Sequence, residues 1–352
     1  MTERKKALVV GATGVVGRRL AEYIDGLDSW EVVGLSRRAA IGGDRVLRIS
    51  VDLSNREETE AALRHLDDVT HIFYEARFDH AEGEAESIEV NTAMFRNLID
   101  AIVPIAQHLV HVHVGSGHKN YGLDVGPAPT PARESQPRFP RSSFYYEQED
   151  YIRDLQAGQL WSWSTARPTG LCDTAPGITR SMISLICAYA AVRRQLDLPF
   201  SFPGTQGNFE ALYQCTDALH LAKATVWMAT EPTCANQDFN ITNGDLFRWK
   251  YLWPKFAAYF GMEEGPVETV NLSDYMADKE PVWQRAVENF GLQRQPLEAV
   301  ALWSYWRHLW TPDWDIVSSM TKARQFGFQE VVDSEKMFFR MFDHFRRERV
   351  FP

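Results

Sequence analysis

The chain has little cysteine. Cys172, Cys187, Cys215 and Cys234 are its only four among 352 residues, and none forms a CxxC or other metal-ligand spacing. This excludes a disulfide framework and a thiolate metal site, and it predicts reduced thiols in a cytoplasmic protein. Long apolar runs are lacking too. No segment approaches the ~18 residues of a membrane span, and "MTERKKALVV" has neither the apolar core nor the cleavage site of a secretory leader. Positive charge is in deficit: 37 Lys and Arg stand against 47 Asp and Glu, a net charge of −10. With no dense basic patch to offset phosphate repulsion, a nucleic-acid partner is not expected. The ten histidines are scattered. His111 and His113 share one face of a strand without a third ligand, so no metal is expected either. Low-complexity tracts and internal repeats are absent. What remains is 45% apolar and 24% charged, the make-up of a globular protein with a sizeable core.

The first half alternates β-branched runs with helical stretches. "KALVVGATG", "WEVVGLSRR", "VLRISVDLS", "VTHIFYEAR", "LVHVHVGSG" and "WSWSTARPTG" read as strands, and "DFNITNG" as a later one in the same sheet. Helices such as "VVGRRLAEYIDGL" and "NTAMFRNLIDAIVPI" lie between them. The pattern predicts an α/β fold, a Rossmann-type doubly wound parallel sheet. Beyond about residue 171 the texture becomes helical and aromatic, as in "SMISLICAYAAVRRQL", "FRWKYLWPKFAAYFGM" and "LEAVALWSYWRHLW". The expected division is a dinucleotide-binding core over 1–170, rejoined by 206–246, and a smaller, mainly helical substrate-binding part over 171–205 and 247–352.

"GATGVVG" places Gly11, Gly14 and Gly17 between a strand and a helix. In that context Gly11 permits the turn, Gly14 the approach of a pyrophosphate to the helix N-terminus, and Gly17 close helix–sheet packing. Thr13, Val15 and Val16 belong to the same loop. At the end of the second strand stand Ser36, Arg37 and Arg38, with no acid for a ribose 2′-hydroxyl. A hydroxyl and two guanidinium forks suit a 2′-phosphate, so the expected cofactor is NADPH. Asp52 and Leu53 follow the third strand, where adenine is expected to rest. Ser116, Pro168 and Leu171 follow the fifth and sixth strands, at the nicotinamide end.

Short-chain dehydrogenases usually pair a catalytic Tyr with a Lys four residues later. Here "SSFYYEQED" puts Glu149 and Asp150 at those positions after Tyr145 and Tyr146. A cation is available elsewhere: "GSGHKNYG" sets Lys119 just past the fifth strand, on the rim where Tyr145 begins the next helix. An ammonium there would favour phenolate character and hold the ribose. Glu149 and Asp150 are expected to point toward solvent or a partner cation, and Glu149→Gln to be nearly silent.

Together "GATGVVG", "SRR", "GSGHKNYG", "FYYEQED", "WSTARPTG", "FNITNGDLFRWKYLW" and "MTKARQFGF" resemble, in order and over nearly the whole chain, the progesterone 5β-reductase/iridoid synthase-like enzymes. The resemblance maps that family's Lys onto Lys119 and its Tyr onto Tyr145. It implies NADPH-dependent 1,4-reduction of the activated C=C bond of a small apolar enone or enal, with Tyr145 bonding the enolate oxygen and Lys119 assisting. A homodimer is a further possibility. The chain departs from the family at the substrate wall: the loop "LDVGPAPTPARESQPRF" is shortened, Arg77 stands where the family has a Trp, and Ser181 where it has an Asn. Arg77 could meet a carboxylate or simply be a solvated loop cation. Trp249, Trp253, Trp303, Trp306 and Trp310 could wall an apolar pocket or be core. Two other readings stay open: a carbonyl reductase or alcohol dehydrogenase using the same Tyr, and a non-catalytic NADP sensor.

Overall fold

The computed structural model describes residues 4–37, 46–78, 86–175, 177 and 179–352. Arg38 lies outside them. The strands are β1 (Lys5–Val10), β2 (Trp30–Ser36), β3 (Leu47–Ser50), β4 (His71–Tyr74), β5 (His111–Gly115) and β6 (Ser162–Arg167). Together with the strand Gln237–Asn240 they form one parallel sheet, in the order Gln237–Asn240, β6, β5, β4, β1, β2, β3. The order reverses between β1 and β4, whose ends align Val10 with Tyr74, while Val10 also aligns with Leu35 of β2. A ligand site belongs at the carboxyl ends of the strands around that reversal.

Both faces of the sheet are covered, which explains the unbroken apolar run of β1. Leu8 and Val10 pack with Val112, Phe95 and Leu98, the last two from helix α3 (Ile88–Ile102). Ala7 and Val9 pack with Leu20, Ala21 and Ile24 of helix α1 (Val15–Asp25), together with Ala222 and Val226 of the helix Ala218–Thr230. The remaining helices of the first half are α2 (Arg56–Leu63) and α4 (Phe144–Gln156).

A further core lies in the helical part, around α5 (Met182–Gln195). Here the expectation for the aromatic residues resolves into packing. Trp249, Trp253 and Trp310 are fully buried, with centroids 6.0–6.1 Å apart, and Phe200 stacks on Trp253 at 4.5 Å. Such offset and edge contacts make a core, not a pocket wall. "LEAVALWSYWRHLW" is not one helix. It breaks into the single turns Leu297–Ala299 and Trp303–Tyr305 and the short helix Trp306–Trp310.

Candidate active site

A cleft of about 370 Å³ opens at the carboxyl ends of β1, β2, β4, β5 and β6. Its floor is the glycine turn. Gly11 has φ +82°, and a Cβ there would stand 2.8 Å from the backbone of Glu75 and Ala76. A Cβ on Gly17 would stand 2.4 Å from the Gly11 carbonyl oxygen, so Gly17 supports the cleft from beneath it. Gly14 begins α1 without a side-chain cap. The first N–H groups of that helix therefore face the cleft with the positive end of its dipole. This is a fitting cradle for a dinucleotide pyrophosphate.

The structure brings Gly11, Thr13, Gly14, Val15, Val16, Ser36, Arg37, Leu53, Ser116, Tyr145, Pro168 and Leu171 to the walls of this one cleft, with Arg77. Asp52 is not on the wall. Its carboxylate accepts the N–H and hydroxyl of Ser54 at 3.0 and 2.8 Å, which hold it below its usual range, while Val51 and Leu53 face inward. Ser181 is not there either. It is fully buried, and its hydroxyl donates to the Asp173 carbonyl at 2.7 Å and accepts the Asp173 N–H at 3.1 Å. The cleft residue is its neighbour Arg180, so the expectation for Ser181 missed by one position.

Tyr145 sits in the first turn of α4, whose N-cap Ser143 accepts the Tyr145 N–H at 3.3 Å. Tyr146 cannot take its place, because its hydroxyl lies 3.1 and 3.3 Å from the backbone carbonyls of Asn120 and Phe139. Burial pushes the Tyr145 phenol up, against the pull of Arg77 and Arg180. Burial thus works against the phenolate character expected from the sequence.

Lys119 lies in the single turn His118–Tyr121, directly after β5. Its ammonium is not on the cleft wall. It meets Glu86 Oε1 at 2.6 Å, and the same oxygen meets Arg77 Nη2 at 2.7 Å. Burial alone would raise the Glu86 carboxyl, but Lys119 and Arg77 outweigh it and bring it down to about 2. Burial lowers Lys119, which Glu86 partly offsets. Sequence reasoning missed Glu86. The available signal was its place just before Ser87, which caps α3 by accepting the Val90 N–H, on the helix that follows β4.

Glu149 and Asp150 do point to cations, as expected, but Glu149 is fully buried and has no access to solvent. Arg138 joins the pair, at 3.0 Å to Glu149 and 2.7 Å to Asp150. Glu149 also meets the Asn120 amide at 3.1 Å and Arg167 at 3.5 Å. It thereby braces the turn that carries Lys119. Among the described residues no cluster of His, Cys, Asp and Glu could hold a metal ion.

The fold is shared with a UDP-glucose 4-epimerase of Thermus thermophilus solved with NAD, at TM-score 0.68 and 18% identity over 97% of this chain and 99% of that one. Sheet, glycine turn and cleft define a Rossmann-type fold suited to a dinucleotide. Residues 41–352 match the PRISE-like Rossmann-fold domain. The chain is 36% identical to an (S)-8-oxocitronellyl enol synthase of Nepeta racemosa, over 94% of this chain and 88% of that protein. To a 3-oxo-Delta(4,5)-steroid 5-beta-reductase of Arabidopsis thaliana it is 32% identical, over 98% and 93%. The chain belongs to the PRISE family, the progesterone 5β-reductase/iridoid synthase-like branch of atypical short-chain reductases.

Proposed function

We propose that the protein reduces the activated C=C bond of small enones and enals with NADPH, and that it does so in the cytoplasm. The reading rests on one observation: the Tyr145 phenol, pushed up by burial, lines the dinucleotide cleft of a chain similar to an (S)-8-oxocitronellyl enol synthase and a 3-oxo-Delta(4,5)-steroid 5-beta-reductase. When bound, NADPH supplies the hydride for the β-carbon. Tyr145, on the cleft wall, would donate to the carbonyl oxygen, where negative charge collects as the enolate forms. A preformed donor in a dry site stabilises that charge without reorganisation. The α-carbon then takes its proton from solvent. Lys119, fixed by Glu86, sets the positive potential of the rim. Thr13, Gly14, Val15 and Val16 would hold the pyrophosphate, and Ser116, Pro168 and Leu171 would flank the nicotinamide.

Ser36, Arg37 and Arg38 would hold the 2′-phosphate. Each guanidinium–phosphate contact contributes about 1.5–3 kcal/mol. Replacing Arg37 and Arg38 with Ala should therefore weaken NADPH binding by at least about a hundredfold and NADH binding only slightly. Equal affinity of the unmodified protein for both cofactors, by titration, would overturn this preference. The reaction itself is tested by following NADPH oxidation with a panel of enones and enals and identifying the products. Saturated ketone or aldehyde supports the proposal. Allylic alcohol assigns the protein to carbonyl reduction instead.

A further inference from the structure

A run of polar side chains lies buried along one face of the sheet, and the reaction described above does not use it. It begins at Ser162, the first residue of β6, and passes through His111, Ser164 and His113 to Glu75 on the cleft wall. His111 Nδ1 lies 2.8 Å from the Ser162 hydroxyl, and its Nε2 lies 2.8 Å from that of Ser164. Ser164 also meets His113 Nδ1 at 2.9 Å. With Nδ1 so engaged, His113 turns Nε2 to Glu75 Oε1, 3.4 Å away. The His113 side chain is fully buried, and that of Glu75 keeps 8% exposure.

Glu75 stands where a dinucleotide would meet it. It follows β4 directly, and its N–H donates to the Val10 carbonyl at the end of β1 at 2.9 Å. A Cβ on Gly11 would come within 2.8 Å of its backbone, and a Cβ on Gly115 would stand 2.3 Å from its Oε2. The carboxyl is thus wedged between the glycine turn and the end of β5. A dinucleotide held at that turn brings its phosphates to the same floor. Like charges in a desolvated site disfavour the ionised form of a carboxyl. One proton on Glu75 and His113 together leaves the pair without net charge and removes the opposition.

The other imidazoles on this face leave that proton to the pair. Burial, assisted by Lys5, lowers His71 to about 4. Burial, with His113 and His71, holds His111 well below its usual range. Toward the cleft, Glu75 acts on the Tyr145 phenol of α4 together with Arg77, Glu86 and Arg180. Toward the sheet, the Phe73 ring of β4 lies 6.4 Å from that of His113. The helices over this face, α1 and Ala218–Thr230, pack Leu20, Ala21, Ala222 and Val226 around Phe73.

We propose that Glu75 contacts the bound dinucleotide, and that NADPH binding is coupled to the uptake of one proton by Glu75 and His113. This rests on the cofactor reading above and adds to it a residue and a proton. The proton enters from solvent through the open cleft and returns there when the cofactor leaves. Only an O–H or N–H bond is made or broken, and no electrons are transferred. His113 is a positioning residue: fixed by Ser164, it keeps the carboxyl turned into the sheet. A complex that holds one proton more than its free components binds about tenfold more tightly per unit fall in pH, until the free pair is itself protonated.

The test is calorimetric titration with NADPH in buffers of different ionisation enthalpy, at pH of about 7 and about 8, which counts the protons exchanged. The unmodified protein should take up about half to one proton more than Glu75→Gln, a variant of the same shape without the charge. Its NADPH affinity should fall with rising pH by up to about tenfold per unit relative to that variant. Taking the difference cancels protons exchanged by the 2′-phosphate, and NADH, which lacks that group, should show the same difference. His113→Gln should lose at least about half of it; should that variant fail to fold, Glu75→Gln decides alone. Equal proton counts in the unmodified protein and Glu75→Gln overturn the proposal and leave the cofactor reading standing. Equal counts with both cofactors bound about tenfold more weakly by Glu75→Gln would make Glu75 an acceptor for ribose hydroxyls instead. A difference confined to NADPH would move the proton to the 2′-phosphate, and a full difference retained in His113→Gln would remove His113 from the pair. If neither cofactor binds the unmodified protein, the dinucleotide reading itself falls.

Discussion

Tyr145 shows how one residue's surroundings set its role. Its phenol is pushed up by burial, so it remains a donor over the range in which enzymes are assayed. Tyr145→Phe should lower turnover by roughly a hundredfold to a thousandfold, the effect of removing one oxyanion donor. NADPH affinity, measured by fluorescence titration, should stay within about twofold because the contact develops only in the transition state. The Glu86 clasp sets the pH behaviour. A carboxyl depressed to about 2 keeps its charge at every pH well above that value, and its contribution is lost only as pH falls through it. No acid limb of kcat/KM should therefore arise from Glu86 between the ordinary carboxylate range and neutrality. Lys119 is lowered, so it should lose its proton at a lower pH than a free lysine, and Lys119→Met should remove the alkaline limb that this produces. Glu149 illustrates another case, a buried carboxylate held by Arg138 and Arg167. Glu149→Gln leaves the buried Arg167 guanidinium with a weaker partner and should cost roughly 3 kcal/mol of stability, seen as a lower denaturation midpoint. A Glu149→Gln that is silent in stability would show that the buried carboxylate holds its cations no better than an amide does.

Among the elements, the single turn that carries Lys119 depends on Gly122. This residue closes the turn at φ +73°, and a Cβ on it would meet the Phe139 ring at 2.2 Å. Arg141 also ties the turn down, by its bonds to the Lys119 carbonyl and to Asp124. Gly122→Ala should cost about 1–2 kcal/mol in backbone conformation alone. By displacing Lys119 it should also lower turnover by about tenfold to a hundredfold. Cofactor affinity should change little, because the glycine turn after β1 is untouched. An unchanged turnover number in Gly122→Ala would show that this turn does not govern the site. The glycine turn and the strands were legible in the sequence because their signals are local: a Gly spacing, a run of apolar residues, the end of a strand. Glu86 and Arg180 were not. Each sits one residue before a helix N-cap, where sequence reads only as loop, and its role arises from neighbours on other elements. The tryptophans stayed ambiguous for a related reason. Composition announces an aromatic cluster, but only packing decides whether it lines a cavity or fills one.

The whole chain is stitched together across its two expected parts. Tyr121, beside Lys119, donates to Asn240 at 2.7 Å, and Asn240 in turn donates to the carbonyls of Ala132 and Ser319 at 3.1 and 3.2 Å. Trp314 donates to the Leu123 carbonyl at 2.9 Å. The rim of the sheet and the helical part are therefore fastened at the catalytic end itself. The division into a dinucleotide-binding core, 1–170 with 206–246, and a substrate-binding remainder is a proposal about which part meets which ligand. The packing of the thiols has a chemical corollary. Enones and enals are soft electrophiles that alkylate exposed thiolates, so a catalyst that works on them is at risk from its own substrates. All four cysteines are buried, and burial pushes the thiols of Cys172 and Cys187 well up and that of Cys234 up to about 12. The reactive form is the thiolate, so burial suppresses access to all four and the thiolate population of Cys172, Cys187 and Cys234. Hours of incubation with a millimolar small enal should leave the intact mass of the folded protein free of cysteine adducts, whereas the urea-unfolded chain should take up as many as four. Adducts on the folded protein would show that this protection fails. Buried thiols of this kind would let the enzyme outlast many turnovers of a reagent that inactivates proteins less carefully packed.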